Sequence, residues 1–296
     1  AGLPVAPLPS APYMRLADGG SADTRTWACL QPVHIHAARD HLVMLDPAQL
    51  RLEATDADAL RAAIALLLAD MNLTLDAPHA ARWYIAGVPF GELIAAAPQR
   101  ATGHNIDIWM HKGEQERAWR KFQNEIQMTW YDHPVNQARE ARGLLPVNSV
   151  WLFGQGALVD ARPIADRMIG DDAFFAGLAR AANATELAAD TLAALPADGT
   201  SAAVLLDGAG GPFLSANWYD WIETLGAYDR DWFTPAADAL AEGRIDAVSL
   251  VLTGDSHYAH YRVTRRELAN GPLGWLRRFR RARTLRDALS PLSMSA

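Results

Sequence analysis

The sequence predicts an α/β protein: a sheet flanked by helices, with a small α+β subdomain ahead of it. Three observations carry that prediction. Residues 122–156 change period part-way. Phe122, Ile126, Met128, Trp130 and Val135 recur at helical spacing, and Val150-Trp151-Leu152-Phe153 then forms an unbroken apolar run stopped by Gly154-Gln155-Gly156. Residues 202–206 and 247–252 are short runs of small and branched residues, each ending in a Gly- and Asp-containing loop, with helical patterns between them. A hairpin, a helix and a strand precede residue 100. The expected organisation is a flexible lead-in over 1–26, an α+β subdomain over 27–110, and an α/β core over 111–296 that ends in a basic helix.

The elements follow in order. Four prolines in the first twelve positions, with Ala, Gly and Ser, read as an extended lead-in, and Asp18-Gly19-Gly20 as a turn. Residues 27–45 alternate as a hairpin that places His34 and His36 on one strand face with His41 nearby. Three such histidines suit a metal; a polar sheet face is the plainer reading. Thr55-Asp56 caps a helix to about Asn72, carrying Leu60, Ile64, Leu67, Leu68 and Met71. Residues 82–87 read as a strand and 98–107 as a loop. A helix over 112–132 has Trp119, Phe122, Ile126 and Trp130 on its core face. Asn124, Glu125 and Gln127 are either a buried hydrogen-bonding set or its solvated side. A second helix follows His133-Pro134 and ends at Gly143, because proline fits a first turn and glycine a helix end. Residues 171–182, 186–195, 217–229 and 235–241 read as further helices. Arg277, Arg278, Arg280 and Arg281 interleave with Trp275, Leu276 and Phe279 in a basic amphipathic helix. It suits acidic lipid or nucleic acid, or docks by its apolar side with the arginines solvated.

Composition narrows the function. The chain has 296 residues, half of them hydrophobic, and a formal charge of −7. That balance argues against a general nucleic-acid binder. Cys29 is the single cysteine, which excludes an intramolecular disulfide and a multi-thiolate zinc cluster. It is expected to be a small buried apolar residue. No apolar run approaches the ~18 residues that span a bilayer, and no secretory signal is visible, so the expected location is cytoplasmic.

Chemistry is expected where strands end. Asp207, following the 202–206 run, and Asp255 with His257, following the 247–252 run, are the candidate metal ligands. Asp255 and His257 equally suit an acid/base pair. His260, Gln155 and Asn148 are candidate ligand-binding residues, and the four arginines at 277–281 are candidate interaction residues. A Ser256 nucleophile with His257 as base is disfavoured, because neighbours on a strand face opposite ways and no Gly-x-Ser-x-Gly elbow is present.

Residues Asp132-His133-Pro134-Val135-Asn136, Arg139, Gly143 and Pro146-Val147-Asn148-Ser149-Val150-Trp151-Leu152-Phe153-Gly154-Gln155-Gly156 resemble archaeal-type cofactor-independent phosphoglycerate mutases. Trp27-Ala28-Cys29-Leu30-Gln31-Pro32-Val33-His34 and Asn124-Glu125-Ile126-Gln127-Met128 are similar to the RpfE-type regulatory proteins of proteobacteria. The second likeness spans most of residues 25–280; the first is strongest over 120–156. The resemblance implies an alkaline-phosphatase-like fold, whose catalytic members use two metal ions and a phosphorylated serine. This chain departs from that pattern. No Asp-Gly with a following nucleophile stands out before Trp27, Asp207 is the one candidate ligand in its stretch, and the mutases' final Asp-His pair is here separated by Ser256. The expectation is therefore a non-catalytic or weakly active mutase-like protein with a regulatory or binding role and no cofactor. Its partner would be a protein or a small phosphorylated ligand rather than nucleic acid. The alternative is a metal-dependent mutase or phosphohydrolase, with manganese or another divalent ion, whose further ligands lie upstream of Ala1 or in the histidine hairpin.

Overall fold

The structure, a computed structural model, describes residues 3, 8–87, 96–110, 115–254 and 257–268. The chain divides into two compact units, one of Ala1–Ala188 with Ser201–Thr224, the other of Ala189–Thr200 with Leu225–Ala296. The first contains, in order, α1 (Ser10–Ala17), β1 (Thr26–Val33), β2 (Ile35–Ala37), β3 (Leu42–Met44), α2 (Ala54–Ala63), α3 (Ala65–Asp70), β4 (Thr74–His79), β5 (Arg82–Ala86), α4 (Pro98–Ala101), α5 (Glu116–Tyr131), α6 (Pro134–Ala141), β6 (Ser149–Ala157), β7 (Arg167–Ile169), α7 (Ala173–Ala181), β8 (Thr185–Glu186), β9 (Ala202–Val204) and α8 (Gly210–Leu214). Helix α9 (Trp218–Tyr228) runs from the first unit's stretch into the second's, which continues with α10 (Thr234–Glu242), β10 (Ala247–Thr253), β11 (Tyr258–Thr264) and α11 (Arg265–Leu268). The protein is thus a mixed α/β chain, as the sequence predicts.

The first unit is built on an antiparallel sheet of order β4-β5-β1-β6. Period-two alternation sorts its side chains. Ala28, Leu30, Trp83, Ile85, Val150 and Leu152 face one core, shared with Leu60, Ile64, Trp119 and Trp130 of the helices. Trp27, Cys29, Tyr84, Trp151 and Phe153 face a second core, with Ala11 and Met14 of α1. Helices therefore cover both faces. Burying each large side chain contributes about 1.5–3 kcal/mol. Two of these tryptophans also place their N–H groups on carbonyls: Trp83 donates to Ala80 at 2.7 Å and Trp130 to Leu60 at 3.1 Å.

Helix α5 buries Trp119, Phe122, Ile126 and Trp130, as its spacing predicts. Asn124 and Gln127 are solvated, and Met128 is exposed rather than core. The buried polar residue is Gln123, which donates to Ser149 Oγ and the Val150 carbonyl. Helix α6 starts with Pro134 in its first turn, capped by the His133 ring, and gives way at Gly143 with φ 72°. A second, parallel sheet of order β8-β7-β9 completes the first unit's strands, beside the β2-β3 hairpin.

Several expectations change. Residues 8–26 are not a flexible lead-in. Helix α1 is buried through Ala11, Tyr13 and Met14, and its backbone meets α7 so closely that a Cβ at Gly177 would lie 1.8 Å from the Tyr13 oxygen. Proline and alanine in the sequence masked a short packed helix. The 27–110 and 111–296 division fails because β6 pairs with β1 along its length, joining strands over a hundred residues apart. The helix expected over 186–195 is replaced by β8 and a single 3₁₀ turn at Leu192–Ala194; sheet pairing outweighs alanine's propensity. The 55–72 helix is two helices broken at Ile64, and β4 was not anticipated.

In the second unit, Trp232, Ala239 and Leu240 are buried. The 247–252 run is not a buried strand of a parallel sheet. It is β10 of an antiparallel pair with β11, and Val251 is exposed. A run of branched residues fits either setting, and the partner strand decides.

Candidate functional site

The parallel sheet places acidic residues at its strand ends. Strand β7 runs out through Gly170 to Asp171 and Asp172, and β9 through Leu205 and Leu206 to Asp207. The Leu205 N–H donates to the Ile169 carbonyl at 2.8 Å, which keeps the two exits side by side. Asp172 caps α7, accepting from the Phe175 N–H at 2.9 Å. Asp207 is exposed, yet lost hydration, and after it the charges of Asp172 and Asp171, push its pKa up. A cationic group or a proton would relieve that repulsion. Asp207 is thus placed where the sequence put it, at the carboxyl end of a parallel strand. Asp171 and Asp172 were missed because β7 is three residues long; the Met168-Ile169-Gly170-Asp171-Asp172 step was the available signal. Among the described residues, no group of three or more His, Cys, Asp or Glu side chains could hold a metal ion. The residues described at these strand ends do not fit a two-metal centre.

The other predicted site residues fall elsewhere. Asp255, Arg277, Arg278, Arg280 and Arg281 lie outside the described residues. His257 immediately precedes β11, and the Gly254 N–H donates to its carbonyl at 2.8 Å across the hairpin end. His260 lies on β11 opposite Val251 and is exposed. Both belong to an antiparallel hairpin, not to a parallel strand end. Of the three early histidines, His34 contacts the Pro146 carbonyl through Nδ1 at 2.8 Å, His36 stacks on it at 6.4 Å, and His41 pairs with Asp40.

Polar residues of the 132–156 segment complete hydrogen bonding within the fold. Asn148 mimics a strand: its Oδ1 accepts from the Ile35 N–H at 2.8 Å and its Nδ2 donates to the Ile35 carbonyl at 2.7 Å. It splices the 148 segment to the backbone of Ile35. Asn136 does the same for Val147, with a further bond to the Trp130 carbonyl. Arg139, 0 % exposed, donates to the Leu145 and Leu50 carbonyls and to Asp56. Gln155 does not sit in a strand-end loop. It lies within β6 at a bulge, where Gly154 and Gln155 intervene between the pairs Cys29–Phe153 and Trp27–Gly156. Gly154 adopts φ 69°, and a Cβ there would lie 2.2 Å from Ser10 Oγ. Gln155 is buried, and its Nε2 has no hydrogen-bond partner among the described residues.

One charged cluster escaped sequence reasoning. Asp18 accepts from Arg82 Nε at 2.8 Å and Nη2 at 2.6 Å, and from the Tyr84 hydroxyl. Burial alone would raise the Asp18 pKa; the bonds from Arg82 and Tyr84 outweigh it and hold it below the usual carboxylate range. Burial lowers the pKa of the nearby His79 and, beside Tyr84, pushes the Cys29 thiol far up. Cys29 is a buried free thiol, as expected of a small packed residue. No motif announces the cluster, because Asp18 sits in a turn and its partners are 64 and 66 residues away.

No family model matches the chain, and no curated protein matches it. Among solved structures, the cofactor-independent phosphoglycerate mutase of Thermoplasma acidophilum aligns at 15% identity with a TM-score of 0.38, over 68% of this chain and 59% of that one. The PH0037 protein of Pyrococcus horikoshii aligns at 11% identity with a TM-score of 0.37, over 82% of this chain and 62% of that one. The chain spans about three-fifths of the length of each. No helix among the described residues is long and apolar enough to cross a membrane.

Proposed function

We propose that this chain is a phosphoglycerate-mutase-like protein of alkaline-phosphatase-like fold, of the RpfE type, that acts by binding in a regulatory role rather than by phosphoryl transfer. The observation behind this reading is the donor set at the β7 and β9 strand ends. Asp171, Asp172 and Asp207 are carboxylates without a histidine among them, and Asp172 is already engaged as a helix cap. A phosphoryl clamp of two metals needs more ligands, fixed at closer geometry. The residues that carry the sequence resemblance, Asn136, Arg139 and Asn148, bond to backbone of their own fold, which supports inheritance of a scaffold.

A second reading, a metal-dependent mutase or phosphohydrolase, draws on the raised pKa of Asp207 beside Asp171 and Asp172, a setting a divalent cation would relieve. Manganese titration by calorimetry, with phosphoglycerate mutase and generic phosphatase assays on the full chain, separates the two. The binding reading expects no turnover with manganese present. Two tightly bound manganese ions, with turnover abolished by Asp207→Asn or Asp255→Ala, would establish the second reading instead.

A further inference from the structure

We propose that the outer face of α5 is a docking surface for an acidic amphipathic helix of a partner protein. The inner face of α5 is fully occupied by Trp119, Phe122, Ile126 and Trp130, so its outer face is free of the demands of the core. That outer face is ordered by charge. Arg117, Arg120 and Lys121 stand in its first two turns, and Asn124, Met128 and Tyr131 continue the same stripe at three- and four-residue steps. Met128 is 78% and Tyr131 77% exposed, and Leu66 on neighbouring α3 is 79% exposed. Between α3 and α5 runs an open groove of about 640 Å³, lined by Leu67, Met128, the three cations and one carboxylate, Glu125, among others.

Charge complementarity selects the occupant. Cations crowded near a helix N-terminus oppose its macrodipole, with Glu116 the one acidic residue of the first turn. The chain as a whole carries −7, whereas Arg117, Arg120 and Lys121 against Glu116 and Glu125 leave this face with a formal +1. Arg120 pairs with Glu116 at 2.8 Å and Lys121 with Glu125 at 3.6 Å. Exposed pairs of this kind are weak, and a partner's carboxylates can replace them. A small anion would use the cations and leave Met128, Leu67 and Tyr131 without a role. An amphipathic helix uses both halves, with carboxylates over the arginines and apolar residues in the Met128 end of the groove. This gives the binding role proposed above a surface. It is read by association rather than turnover, so its failure leaves that role standing.

The test uses the full chain and a fluorescent synthetic helix of about four turns, with Glu along one half and Leu at helical spacing along the other. Controls are a scrambled peptide of equal composition, inorganic phosphate, and vesicles containing phosphatidylglycerol. The amphipathic peptide is expected to bind by anisotropy. Arg117→Glu with Lys121→Glu should weaken it at least tenfold, Met128→Glu should weaken it several-fold, and added salt should weaken it further. Circular dichroism confirms that the variants fold. Equal binding of the scrambled peptide, competition by millimolar phosphate that abolishes binding, or a preference for vesicles that the same charge reversals remove would each overturn the proposal. So would peptide binding that neither variant changes.

Discussion

The antiparallel sheet and the parallel sheet of the first unit use their polar residues in opposite ways. Around β6, Gln123, Asn136, Arg139 and Asn148 turn inward and complete the hydrogen bonding of backbone that the fold has buried. At the ends of β7 and β9, Asp171 and Asp207 are exposed, and Asp207 gains nothing from its carboxylate neighbours. The first region holds the chain together; the second is where a ligand of opposite charge would improve on the resting state.

The widest contrast should appear on removing Arg139. Its guanidinium reaches two backbone carbonyls and Asp56 from a fully buried position. Arg139→Met keeps the stem and deletes the charge, leaving Asp56 and the carbonyls of Leu50 and Leu145 short of donors. The expected loss is about 3–5 kcal/mol, read as a fall in the urea midpoint. A change below ~1 kcal/mol would mean that Arg139 is not a structural keystone.

The Asp18 cluster gives an intermediate effect with a pH signature. Asp18→Asn weakens the bonds to Arg82 and Tyr84 and should cost about 2 kcal/mol at pH 7. The Asp18 pKa is depressed in the folded state, so its contribution is present above the unfolded value near ~3.9 and is lost as pH falls through the folded value. The gap between wild type and variant is therefore wide at neutral pH and closes in acid below about pH 4. Urea midpoints measured across that range check the sign. A gap independent of pH would show that packing, not ionisation, holds the end of α1 to β5.

Legibility in the sequence followed the range of the forces involved. The α5 core face, the proline and glycine that bound α6, and the strand at Val150-Trp151-Leu152-Phe153 were all readable, because local periodicity and turn chemistry decide them. The strand's continuation through Gly154 was not. It depends on a bulge against β1 and on the close approach of Ser10. Helix α1 was hidden for the same reason: an eight-residue segment is helical here because Tyr13 and Ala11 find cores made by distant residues. Of the candidate site, Asp207 was found from its place after a strand. Its acidic neighbours depended on a strand too short to show a period. The hairpin position of His260 followed from β11, whose exposed Tyr258, His260 and Arg262 alternate with less distinctive residues.

The smallest effect has the opposite sign. Asp207 is a carboxyl group whose folded-state pKa is raised, chiefly by lost hydration and then by Asp172 and Asp171. Its ionised form is less favourable folded than unfolded, so the penalty exists above the folded pKa and vanishes below the unfolded one. Asp207→Asn should then leave the protein as stable as wild type in acid and slightly more stable at pH 7. Because the residue is exposed, solvent screening limits the gain to a few tenths of a kcal/mol. Paired thermal melts at pH 3 and pH 7 would resolve the difference. A loss of stability at neutral pH would place Asp207 with Arg139 and Asn148 among the residues that build the fold, and would remove the contrast between the two sheets at its most exposed point.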